Sequence, residues 1–256
     1  MIQLARSLFA ILALIGIWFA VARLELVPAE YFPGPVVVAE AFADSLRRGE
    51  ITKAIVLTFS RALAGLAGAI VFGLSLAVIS TRYAIIGRAF APVADLFRSL
   101  PPAAITPVSI FFLGLGWQLY AFILIFACFW PVYLNAYAAL NAVPMQQLAT
   151  ARVYGYEGWS RMLRVQLPAA MPDTFIGIRL ASAVALIASI VAEMLAGRDG
   201  LGYLMSSAAF SLRIPDTFVG LIAAMGLGLV MNQIVVLARR TIIGWHETMT
   251  SGNRGN

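Results

Sequence analysis

Six stretches of predominantly apolar residues recur along the chain, at about 5–22, 53–80, 90–115, 118–140, 173–196 and 216–238. A helix needs about 20 such residues to cross the hydrocarbon of a bilayer. Only 12% of residues are charged and 61% are hydrophobic, against roughly 25% charged in an ordinary soluble domain. Mean hydropathy is +0.89. The pattern predicts an all-α, polytopic membrane bundle of about six transmembrane helices, forming one domain over residues 1–256.

The formal charge is +6, from 18 basic and 12 acidic residues, and Lys53 is the sole lysine. A basic balance of this kind also suits nucleic acid, but basic residues gather in the cytoplasmic loops of membrane proteins, and that is the reading adopted here. Cys128 is the single cysteine and His246 the single histidine, so no disulfide framework, metal cluster or nucleophilic triad is expected within the chain. Arg6, followed by the apolar run Ser7–Ala22, has the outline of a cleavable signal, yet it is read as the first transmembrane helix.

Loop charges set the expected orientation. With the N-terminus inside, the inner segments hold Arg6, Arg82, Arg88, Arg152, Arg161, Arg164, Arg239, Arg240 and Arg254, and the outer ones only Arg23, Arg47, Arg48, Lys53, Arg198 and Arg213. Both termini are therefore expected to be cytoplasmic. Pro101, Pro102 and Pro107 interrupt the third span and should break or kink it. Residues 33–50 read as an amphipathic helix with Val36, Ala39, Phe42, Ala43 and Leu46 on one face, lying on the membrane or packing on the bundle. Ala64, Gly65, Gly68 and Ala69 suit close helix contact.

The longest inner connection is 141–172. Its pattern predicts a helix over Met145–Tyr154, a break at Gly155, a second helix over Glu157–Val165 and a stop at Pro168. Two short helices joined at a glycine make a polar knob on an otherwise apolar chain, which a soluble partner can grip.

The spacing of that knob resembles the cytoplasmic loop of binding-protein-dependent ABC importer permeases. The family pattern is Glu-Ala-Ala, three residues, Gly, nine residues, Ile, one residue, Leu-Pro. Here it reads Ala149-Thr150-Ala151, Gly155, Val165, Leu167-Pro168, with Ala149 in place of the glutamate and Thr150 in place of the first alanine. Phe97–Ala104, Phe111–Gly116, Val191–Leu195 and Gly200–Leu204 are similar to the nitrate/sulfonate/taurine/bicarbonate branch. The resemblance runs from about Pro33 to Arg240. It implies a type I importer fold and a permease subunit of the bacterial inner membrane. It also implies partner ATPases, a second permease copy (a homodimer) and an extracytoplasmic solute-binding protein. Ala149, Thr150, Ala151, Arg152, Gly155, Tyr156 and Glu157 would then couple to the ATPase, as the coupling helix and its exit.

The chain has no Gly-Lys-Ser/Thr loop to cradle phosphates, since Thr52 precedes the only lysine. It is expected to be a transport subunit and not an enzyme, with no cofactor of its own and with ATP and Mg on the partner. Polar residues inside spans usually face the bundle interior or a cavity. Arg179, Ser182, Ser189 and Glu193 form one helical stripe, and Ser99, Thr106 and Ser109 a weaker one, so these seven are the candidate translocation path. Glu193 is open to four readings: a gate, a partner for a basic group, a contact for the binding protein, or a packing ion pair. Asn135, Asn232 and Gln233 read as packing groups.

The excess of arginine inside spans (Arg61, Arg98 and Arg179 against Asp95 and Glu193) favours a small anion such as a sulfonate, taurine, nitrate or bicarbonate. A thiamine or pyrimidine precursor or an aromatic acid is the alternative. An ion-coupled secondary transporter, which would show internal repeats, is the other transport class.

Overall fold

The computed structural model describes the backbone of residues 2–252 and the side chains of residues 9, 10 and 12–244. His246 lies outside the described side chains. Eleven helices follow one another among the described residues: α1 Ile2–Arg23, α2 Pro35–Arg47, α3 Glu50–Arg82, α4 Ala84–Phe97, α5 Pro102–Leu113, α6 Trp117–Asn141, α7 Met145–Val153, α8 Gly158–Arg161, α9 Leu167–Ala196, α10 Leu201–Phe210 and α11 Ile214–Gly252. A π-helical turn, Met162–Gln166, joins α8 to α9. Among the described residues four helices are long and apolar enough to cross a membrane: Glu50–Arg82, Trp117–Asn141, Gly158–Ala196 and Ile214–Gly244. A fifth crossing appears if the bent pair α4–α5 is counted as one span. The first expected span, 5–22, falls on α1, whose fully described part Leu12–Arg23 is apolar but short of a span.

Sequence chemistry accounts for the breaks. Pro101 takes an extended conformation, as a residue before proline must, and Pro102 opens α5, so the axis turns by 98° between α4 and α5. The expected third span is thus two helices at nearly a right angle. Pro168 behaves differently from expectation: it does not stop a helix. Gly158–Ala196 is one continuous helix of 39 residues. The π-turn just before Pro168 moves the bonding from i−4 to i−5, with the Leu167 N–H reaching the Met162 carbonyl, and this extra residue accommodates the proline without ending the rod.

The core is built by α3, α6, α9 and α11. Gly65, Gly68 and Gly73 let α3 lie directly on α6, where a Cβ would strike Leu124, Ile125 or Val132. Ala69 is fully buried in the same seam, while Ala64 stays exposed. Ala62, Leu66, Cys128, Val132, Ala181, Ala185 and Met231 close the centre. Asn135 bonds back to the Pro131 carbonyl of its own helix (2.8 Å) and packs over Gly177.

The α2 helix packs on α3 and α11, but through Val38, Ala41, Phe42 and Ser45. Val36 and Leu46 of the expected face are exposed, because the packed stripe is rotated by about a third of a turn and shares only Phe42 with it. Trp18 ties the preceding linker to this end, donating to the Pro33 carbonyl and stacking on Phe218.

Candidate functional site: two ends of one helix and the groove between

Glu193 lies in the last turn of α9 and is completely buried. A buried carboxylate is tolerated only when its lone pairs are filled, and here they are. Oε1 accepts from Arg61 Nη1 of α3 at 2.9 Å, and Oε2 accepts from Thr58 Oγ1 at 2.7 Å and from the Gly202 N–H at 3.0 Å. Arg61 also gives Nη2 to Asp199 Oδ1 at 2.6 Å and lies 4.0 Å over the ring of Tyr120 of α6. Thr58 Oγ1 in turn accepts from the Leu201 N–H at 2.8 Å. One guanidinium and one hydroxyl therefore join α3, α6, α9 and the start of α10.

The turn carrying Asp199–Gly202 needs its glycines. Gly200 has φ +94°, and a Cβ on it would fall within the Glu193 carboxyl group. A Cβ on Gly202 would strike the Ile190 carbonyl. A cavity of about 570 Å³ opens beside Arg61, Tyr120, Trp117 and Asp199.

Of the readings left open for Glu193, the partnership with a basic group in helix packing is present in the structure. Thr58, Tyr120, Asp199 and Gly202 were not anticipated. The available signal was Arg61: an arginine within an apolar span either pairs with an acceptor from another element or faces a cavity.

At the opposite end of the same helix lies the expected coupling segment. α7 is exposed along most of its length, including Ala149, Thr150 and Arg152, while Ala151 is buried and pins it to the body. Gly155 adopts φ +77°, and the Gly155 and Tyr156 N–H groups bond back to the Arg152 and Ala151 carbonyls (both 2.9 Å), closing the α7 C-terminus. Glu157 opens α8, its N–H donating to Ser160 Oγ at 3.1 Å. Val153 and Tyr154 are 87% and 75% exposed and Met145 is 73% exposed, an apolar surface on an otherwise polar segment. Gln166 fixes the base of the knob by donating to the Leu140 carbonyl at 2.9 Å, and Trp159 meets Tyr83 edge-on.

The seven candidate path residues do not share one surface. Thr106 and Ser109 are buried and bond back to the Pro102 and Ile105 carbonyls. Ser99 is exposed in the turn after α4 and bonds to the Leu96 carbonyl. The 98° bend separates it from the other two, which is why the stripe drawn on a straight helix fails. On α9, Ser182, Ser189 and Glu193 are buried, Ser189 facing the Thr58 carbonyl at 3.5 Å, while Arg179 is exposed. Arg179 Nε donates to Asn232 Oδ1 of α11 at 3.0 Å, so Asn232 orients an arginine beyond merely packing.

The arginine excess also shrinks. Arg61 meets two carboxylates and Arg98 pairs with Asp95 at 3.1 Å, leaving Arg179 as the in-span guanidinium without a carboxylate within ion-pair distance among the described residues. Among the described residues no cluster of three metal-ligating side chains occurs.

Residues 69–243 match the family described as binding-protein-dependent transport system inner membrane component, and the chain belongs to that family. It is 28% identical over 238 residues (93% of this chain, 89% of the relative) to the riboflavin transport system permease protein RibX of Chloroflexus aurantiacus. It is 23% identical over 249 residues (95% and 90%) to the taurine transport system permease protein TauC of Escherichia coli (strain K12). Its fold is similar to a chain of the MetNI methionine ABC transporter in an inward-facing conformation, with TM-score 0.68, 17% identity and coverage of 77% of this chain and 97% of that one. The chain is accordingly a multi-pass membrane permease of the ABC type, a transport subunit and not an enzyme, and membership implies ATPase partners.

Proposed function

We propose that this permease imports a small solute delivered by an extracytoplasmic binding protein, working as two copies, each clasped by an ATPase that binds ATP and Mg. The carrying observation is the exposed α7 knob fused to a continuous rod. Val153 and Tyr154 offer the partner an apolar foothold, and the glycine turn passes any displacement directly into Gly158–Ala196. The far end of that rod is anchored in the Arg61–Glu193 cluster, so closure of the two ATPases tilts a lever between inward- and outward-facing arrangements. Both termini and α7 lie on the cytoplasmic side in this reading, in keeping with the loop charges.

A small oxyanion such as a sulfonate or taurine is the favoured cargo, supported by the taurine-transport relative and by the carboxylate-free Arg179. The relative named for riboflavin keeps a heteroaromatic solute as the second reading.

Replacing Gly155 with valine tests the lever. No neighbour lies within 4 Å of a Cβ there, so the substitution acts only by straining φ +77°. Uptake per ATP hydrolysed by the reconstituted complex should fall about tenfold while ATP turnover persists. Unchanged uptake per ATP in Gly155→Val would remove α7 from the coupling route.

A further inference from the structure

Arg179 sits well inside α9, 17 residues before Ala196 and so about 26 Å from that end at 1.5 Å per residue. It is nevertheless exposed on the protomer. It is also only six residues, about 9 Å, beyond Asp173 at the inner end of the expected span, and an arginine there either extends to the interface or faces protein or a cavity. The cavities that Arg179 lines on the α9–α11 face favour the second.

Two cavities meet there. One of about 610 Å³ reaches Leu186 and Gly228, and one of about 440 Å³ runs to Asp173 and Arg240. Arg179 lines both.

The hydrogen bond to Asn232 engages Nε alone. It holds the guanidinium plane, and among the described residues neither Nη1 nor Nη2, the pair that matches an oxyanion bidentately, meets an acceptor in this groove-lining side chain. Arg61 is the internal contrast, since two carboxylates already fill its fork.

The geometry points to Arg179, oriented by Asn232, as an oxyanion-recognition station on the solute path, taking a sulfonate, carboxylate or phosphate group. This rests on the importer reading above and specifies where in the bundle the solute's charge is met. Ser182, in the wall of the larger cavity, donates its hydroxyl to the Arg179 carbonyl at 2.7 Å and so braces the backbone of the same turn.

The test needs no knowledge of the cargo. Cys128 is fully buried, so Ala183→Cys, one turn along the groove wall from Arg179, supplies the accessible thiol. The complex with its ATPase is labelled in proteoliposomes with an anionic and a cationic methanethiosulfonate of similar size. The anionic-to-cationic rate ratio should be at least about tenfold higher in Ala183→Cys alone than in Ala183→Cys/Arg179→Gln. Arg179→Lys should retain most of the preference, and Asn232→Leu, which frees the guanidinium, should lose part of it.

Failure of Ala183→Cys to react with either reagent overturns the station, because the groove then faces lipid. An unchanged ratio in Arg179→Gln and Asn232→Leu overturns it as well. Failure of the importer reading shows separately, as a complex lacking ATP-dependent uptake, whatever the labelling ratio.

Discussion

Arg61 and Arg179 are both arginines within apolar helices, and the protein treats them oppositely. Around Arg61 every strong acceptor is supplied from inside the chain: Glu193 and Asp199 at 2.9 and 2.6 Å, with Tyr120 beneath. Around Arg179 the described residues supply one neutral amide oxygen as side-chain acceptor and an open groove. The first arrangement is a finished structural joint, since a buried pair whose lone pairs are filled has nothing left to offer a ligand. The second is unfinished, and an unfinished cation in a membrane helix marks where something else completes the site. In-span charge alone does not distinguish a fastening from a path; the tally of local partners does.

The largest way to break this contrast is Glu193→Ala. It removes the acceptor shared by Arg61 Nη1, the Thr58 hydroxyl and the Gly202 N–H, leaving Arg61 only Asp199, and removing one partner of a buried pair costs about 3–5 kcal/mol. Thermal unfolding of the detergent-solubilised protein should show a large destabilisation, and a wild-type transition would mean that the cluster holds little together.

Gly200→Ala should come next, at about 1–3 kcal/mol, because it adds a Cβ where the Glu193 carboxyl group sits and does so at φ +94°. The part due to the clash should vanish in the Glu193→Ala background while the strain at φ +94° stays, and full additivity of the two would separate the turn from the carboxylate. Arg98→Ala should be the smallest. Its partner Asp95 is exposed and three residues away, so the change should stay within about 1 kcal/mol. A larger loss there would show that exposed pairs in the α4–α5 bend matter more than their solvation suggests.

Much of the frame was legible in the residues. Apolar runs gave the spanning helices, and Pro101-Pro102 gave the break, because proline lacks an N–H and restricts its predecessor. Gly155 gave the turn after α7, which needs a positive φ. Pro168 misled for the same chemistry read too strictly: a π-turn upstream lets the helix carry a proline, and nothing local announces that turn. The face of α2 was also misplaced. Two overlapping apolar stripes exist, and only the positions of α3 and α11 choose between them.

The amino-acid sequence determined by itself that this protein lives in a bilayer, where its helices are interrupted, and that a polar helix–glycine segment protrudes between two apolar spans. These are local properties, set by the solvation of each stretch and by the dihedral limits of proline and glycine. Only the tertiary structure decided which in-span charges are spent and which remain available. Thr58, Arg61, Tyr120, Glu193 and Asp199 come from three helices and a loop more than 130 residues apart at the extremes, and Arg179 meets Asn232 across 53 residues. Charge neutralisation in a low-dielectric interior depends on distances of a few ångströms, and sequence spacing does not encode such distances between helices.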